Sequence, residues 1–171
     1  KARTIPEGID LFMETETVAV FEELGIFKKK EMESFYVIRM ESFVKNVEIE
    51  MSVLRDMIWE GILPAISKQM ILENESFSSI GDCGVEGADE WKKHIARLAK
   101  AKIDLMEKTK ELVEMKEKMA KLSLRKHADA LVEEAVPLMA EIRKIADSVE
   151  VYMSAENMAY PNYRSLLSLS A

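Results

Sequence analysis

Chain breakers are scarce: six glycines and four prolines in 171 residues, against about 7% and 5% in average usage. A β-sandwich or barrel needs a turn between every pair of strands, so the shortage excludes those architectures. The single cysteine, Cys83, cannot close an internal disulfide, which fits a reducing compartment such as the cytoplasm. No apolar run reaches the roughly 18 residues of a membrane span. No signal peptide is expected either, because Lys1-Ala2-Arg3 leads into Pro6, Glu7 and Asp10. Positive charge is in the minority, 24 Lys and Arg against 31 Asp and Glu, for a formal charge of −7. That sign argues against nucleic acid and anionic membrane as partners. The chain opens on Lys1 rather than Met, which leads us to expect a piece of a larger protein.

What remains is 48% hydrophobic and 32% charged, enough to bury a core and rich in helix formers. Residues 1–13 hold Pro6 and Gly8 and read as an extended lead-in, with 1–30 completed by a short helix. Thr15 is a suitable N-cap for that helix and Gly25 a suitable C′ residue. A long helix is expected over 31–75, because Glu31 and Glu33 suit a helix start better than Lys28-Lys29-Lys30. Val37, Met40, Val44, Val47, Met51, Leu54 and Ile58 form its heptad stripe, broadened by Phe35, Phe43, Trp59 and Ile62. Pro64 should kink or interrupt it, since a proline cannot bond the Glu60 carbonyl. Serines and glycines then mark a loop over 76–88.

Asp89 is a candidate N-cap for a helix over 89–122, on which Trp91, Leu98, Leu105, Leu112 and Met119 recur every seven residues. Lys102, Thr109 and Lys116 occupy its second seam, so that side is expected to be wet or only partly covered. A last helix over 124–156 carries Leu124, Leu131, Leu138, Ile145 and Tyr152 with Ala128, Ala135, Ile142 and Val149. Pro137 should bend it, and 157–171 is a short apolar tail. The expected fold is all-α: one helical domain over 1–171, an elongated antiparallel bundle of three long helices plus a short N-terminal one.

Few residues invite chemistry. A di-metal carboxylate site in a bundle wants Glu-x-x-His pairs, yet His94 and His127 follow Trp91 and Leu124 at that spacing. Both histidines therefore read as surface or inter-helix residues. Glu41, Glu48, Glu50 and Asp56 read as a solvated acidic face with room for an inter-helical salt bridge. Cys83 has no histidine within ten residues and reads as incidental, and GDCGVEG lacks the lysine of a P-loop. Twelve methionines fill the stripes or line a partner-binding groove. No catalytic, cofactor-binding or metal-binding residue is expected in this chain.

Two stretches say more. Met13–Met70 carries Thr15-Glu16, Phe21-Glu22, Gly25-Ile26, Glu48-Ile49-Glu50 and Ile62-Leu63-Pro64-Ala65. Ala135–Ser170 carries Pro137, Pro161 and Tyr163-Arg164. Together, in order, they resemble the C-terminal helical region of type III glutamine synthetases, the long bacterial form. The tail departs from that pattern in reading Ala159-Tyr160-Pro161, and the middle helix matches only in apolar spacing.

The resemblance implies a parent ligase of nitrogen metabolism that joins ammonia to glutamate using ATP and Mg²⁺. Its catalytic residues would lie upstream, leaving this piece inactive by itself. It also implies partners: the rest of the chain and the other subunits of stacked hexameric rings. The alternative is a free-standing helical adaptor, using a methionine-lined or Lys102/Thr109/Lys116 face for a partner helix. A metal-carboxylate enzyme is the third reading and would need bound iron or manganese.

Overall fold

In the computed structural model, the described residues are 2–81, 88–161 and 166–167, and they contain helices and turns but no strand. The fold class is all-α, as the composition implies. The helices are α1 (Ile5–Asp10), α2 (Thr15–Glu23), α3 (Lys29–Asp56), α4 (Leu63–Gly81), α5 (Ala88–Met119), α6 (Leu124–Ala130) and α7 (Val136–Glu150). None of the described helices is long and apolar enough to cross a membrane.

The chain's start is a correction. Residues expected as an extended lead-in form α1, opened by a capping box in which Thr4 Oγ1 accepts from the Glu7 amide and Glu7 reaches back to the Thr4 amide. Pro6 sits at the first turn, where its missing N–H costs nothing. Thr15 is likewise not the N-cap of α2 but its first residue, with Glu14 in the cap position. Gly25 behaves as expected. At φ +63° it allows a Schellman closure, in which the Ile26 amide donates to Phe21 and the Gly25 amide to Glu22.

Both internal prolines follow the same device. A π turn over Met57–Ile62 joins α3 to α4, and another over Leu131–Ala135 joins α6 to α7. Each ends two residues before a proline, and the residue between closes the turn: Leu63 donates to Ile58 and Val136 donates to Leu131. An α turn would drive each proline ring into the carbonyl four residues back. Widening the turn by one residue gives the ring room without ending the helix.

Other boundaries differ from expectation. Helix α4 runs through residues 76–81, so the loop expected at 76 begins no earlier than 82. Ser78 and Ser79 lie within this helix, where their hydroxyls donate to the carbonyls one turn back. Asp89 lies inside the first turn of α5, where its charge suits the dipole, rather than capping it. Helix α5 ends at Met119, before the tight turn at Ser123, and α7 ends at Glu150 rather than 156. Cys83, Gly84, Gly87, Tyr163 and Arg164 lie outside the described residues.

Contacts divide the chain into two compact units, Lys1–Ser52 with Val113–Pro137 and Val53–Leu112 with Leu138–Ala171. The first buries Met40, Val44, Val47 and Met51 of α3 with Met119, Leu131 and the fully buried Ala128 and Ala135. Such small residues let helix backbones approach closely. The second buries Ile58, Ile66, Leu98, Leu105, Leu112, Leu138, Ile142 and Val149. Each fully buried Leu, Ile or Met contributes roughly 1.5–3 kcal/mol by transfer from water. The stripe members Val37, Phe35 and Trp59 are corrections: each keeps about two-fifths of its surface exposed.

Candidate functional site

In the first unit, polar groups gather where α1, α3 and α6 meet. Arg125 directs its guanidinium at Asp10, with Nε 3.0 Å and Nη2 2.8 Å from Oδ2. Its other terminal nitrogen pairs with Asp129, one turn along α6. Tyr36 donates to Oδ1 of the same Asp10 at 3.1 Å. Hydrogen bonds to two carboxylates push the Arg125 pKa up, so the group is a permanent cation. Burial, and then the bond to Asp10, push the Tyr36 hydroxyl above its ordinary value.

Beside this cluster, His127 is buried, and its Nε2 has no hydrogen-bond partner while lying 3.7 Å from Glu48 Oε1. Glu48 is therefore no member of a solvated face, although Glu41 and Glu50 stay exposed. Its backbone carbonyl accepts from Lys116 Nζ at 3.0 Å, and the same ammonium reaches Ser52 Oγ at 2.6 Å. In the second unit Lys102 Nζ reaches Ser67 Oγ at 2.7 Å. Ser52 and Ser67 each donate to the carbonyl one turn back, Glu48 and Leu63, which leaves an oxygen lone pair for the lysine.

The second seam of α5 is thus partly covered, one of the two outcomes expected, with Lys102 and Lys116 half-buried and Thr109 buried. Its lysines lay their apolar stems along the helix and spend their charges on serines. Thr109, midway between them, is fully buried with an unpartnered Oγ1.

The second unit also holds a network centred on Gln69, which is 7% exposed. Its Oε1 accepts from the Ser154 amide at 3.1 Å and from Asn157 Nδ2 at 3.0 Å. Its Nε2 donates to Glu73 at 2.9 Å, and Glu73 also accepts from Trp91 Nε1 at 2.9 Å. His94 stands 3.6 Å from Glu73 and edge-on to the Tyr152 ring. These groups tie residues after α7 back onto α4 and α5.

The first unit presents an apolar surface. The rings of Phe12, Phe35, Phe27 and Phe21 form a chain, with successive centroids 6.4, 6.0 and 5.9 Å apart. Phe12, Phe27 and Phe35 are each about two-fifths exposed, and Val20, Leu24, Ile26 and Ile38 more than half. Arg39 stacks over Phe35. Glu22 and Glu31 accept from the Lys29 and Lys28 amides, which fixes the start of α3 against the end of α2. Contiguous apolar surface of this kind marks an interaction face more often than free surface.

Among the described residues no three His, Cys, Asp or Glu side chains are placed to hold a metal. His94 and His127 serve as inter-helix residues, and Asp56 pairs with its neighbour Arg55. Sequence reasoning missed Asp10, Tyr36, Arg125, Gln69 and Tyr160. The first three carry no local signal, being 26 and 115 residues from their partners.

Residues 1–78 match the family model described as the glutamine synthetase C-terminal domain. The chain is also 28% identical over 173 residues to a glutamine synthetase of Butyrivibrio fibrisolvens, an alignment covering 96% of this chain and 24% of that protein. The chain spans about a quarter of the length of this curated relative. Both similarities agree with the expected resemblance to a glutamine synthetase C-terminal domain.

Proposed function

We propose that this chain is the C-terminal helical domain of a type III glutamine synthetase and serves assembly rather than chemistry. The parent enzyme would join ammonia to glutamate with ATP and Mg²⁺, in the cytoplasm and as a homo-oligomer. By the resemblance, the residues that carry out the ligation would lie elsewhere in that enzyme's chain. What its residues do is pack and present a face. On this reading the three long helices, bent at Pro64 and Pro137, form a single domain that docks on the body of its own enzyme.

One coincidence carries the reading. The stretch that matches the glutamine synthetase C-terminal family, residues 1–78, holds the exposed Phe12, Phe27 and Phe35 and the apolar residues around them. That face supports docking on the rest of the parent chain or on a neighbouring subunit. Arg125 and Tyr36, gripping Asp10, hold α1 in place so that Phe12 meets Phe35. The test is an ATP-dependent glutamine assay on the isolated chain. No turnover is expected; measurable glutamine formation would overturn the assembly role.

A further inference from the structure

The residues after α7 run back over the π turn at Met57–Ile62 and end there in a close contact. Tyr160 lies against Gly61 so tightly that a Cβ added at 61 would stand 2.5 Å from its Oη and 2.6 Å from a ring carbon. No real Cβ tolerates such contact, so the ring sits where only a glycine permits it. The Tyr160 hydroxyl donates to the Met57 carbonyl at 3.3 Å, at the first residue of the π turn. Upstream, the Ser154 amide and the Asn157 side chain hang on Gln69. None of residues 151–160 is buried. Segments with so few buried contacts open at low free energy.

We infer that residues 152–160 form a strap that opens and closes as one unit, with Tyr160 on Gly61 as its latch. Seated, the strap forms one wall of a groove of about 380 Å³ whose other wall holds Gly61, Pro64 and Ala65 at the start of α4. Released, it uncovers the π turn and frees Gln69 Oε1 to water. The latch lies at one end of the strap and the Gln69 bonds toward the other, so loss of the ring contact must propagate through the segment to release Ser154. A strap of independent contacts would instead keep its Gln69 bonds when the ring is gone. Tyr160 lies in the tripeptide Ala159-Tyr160-Pro161, where this chain departs from the pattern it otherwise resembles. The inference stands on these contacts alone and does not depend on what the parent protein does.

Amide hydrogen exchange on this chain and two variants tests it. Gly61→Ala places a methyl under the ring while favouring the helix, since alanine is the better helix former. Tyr160→Ala removes the ring and keeps the glycine. In both, the Ser154 amide is expected to exchange about tenfold faster or more, as local opening becomes easier, while amides in the middle of α5 keep their protection. Wild-type protection at Ser154 in either variant would overturn the inference, because the strap would then be held without its latch.

Discussion

Arg125 grips Asp10 across 115 residues of chain, its Nε 3.1 and 3.0 Å from the two carboxylate oxygens and its Nη2 2.8 Å from one of them. This contact joins α1, at the start of the chain, to α6. It places the first helix of the region that matches the glutamine synthetase C-terminal family.

The pair is 33% and 40% exposed, so water screens it and its worth is about 1 kcal/mol or less. Arg125→Ala should therefore lower stability by about 1 kcal/mol in urea unfolding. Arg125→Lys should not recover the loss, because an ammonium cannot reproduce the fork. In a double-mutant cycle with Asp10→Asn, no coupling between the two sites would show the contact to be idle.

Tyr36 gives a pH signature. Burial first, and its bond to Asp10 second, raise its pKa above the ordinary 10.0. A raised value means the fold favours the protonated hydroxyl. That stabilisation is complete below pH 10 and is lost as pH rises through the raised value. Ultraviolet titration of the four tyrosines should show one that ionises late, and Tyr36→Phe should remove it. A late group that persists in Tyr36→Phe would assign the shift elsewhere.

Thr109 is fully buried on α5 and its hydroxyl has no partner. A buried unsatisfied polar group costs about 1–3 kcal/mol. Thr109→Val keeps the shape without the hydroxyl, and thermal unfolding should show unchanged stability or a gain of about 1 kcal/mol. A clear loss would mean that the hydroxyl is hydrogen-bonded.

Much of this fold was legible in the pattern of residues. The seven-residue recurrence of Leu98, Leu105, Leu112 and Met119 is a buried stripe, and Gly25 closes α2 in the left-handed region. Both signals are local, and burial or a positive φ follows from them directly. The start of α1 was legible too and was misread: Thr4-Ile5-Pro6-Glu7 has a capping box's spacing, with proline where a helix tolerates it.

The seam of Lys102, Thr109 and Lys116 is partly covered, as its composition allows, but its partners were not legible. Lysine at a core position suggests water, but Ser67 on α4 and Ser52 on α3 supply the acceptors. Nothing along α5 announces them. The candidate site was the least legible. Arg125 with Asp10, Gln69 with Ser154 and Tyr160 with Gly61 are pairings between distant segments. Only tertiary packing brings them together.

We propose that these residues serve a glutamine synthetase whose chemistry lies elsewhere in its chain. Sequencing the coding region directly upstream of Lys1 tests it most directly. The expected result is an open reading frame, continuous with Lys1, that encodes the catalytic domain of a glutamine synthetase. A stop codon or an unrelated domain in that position would contradict it.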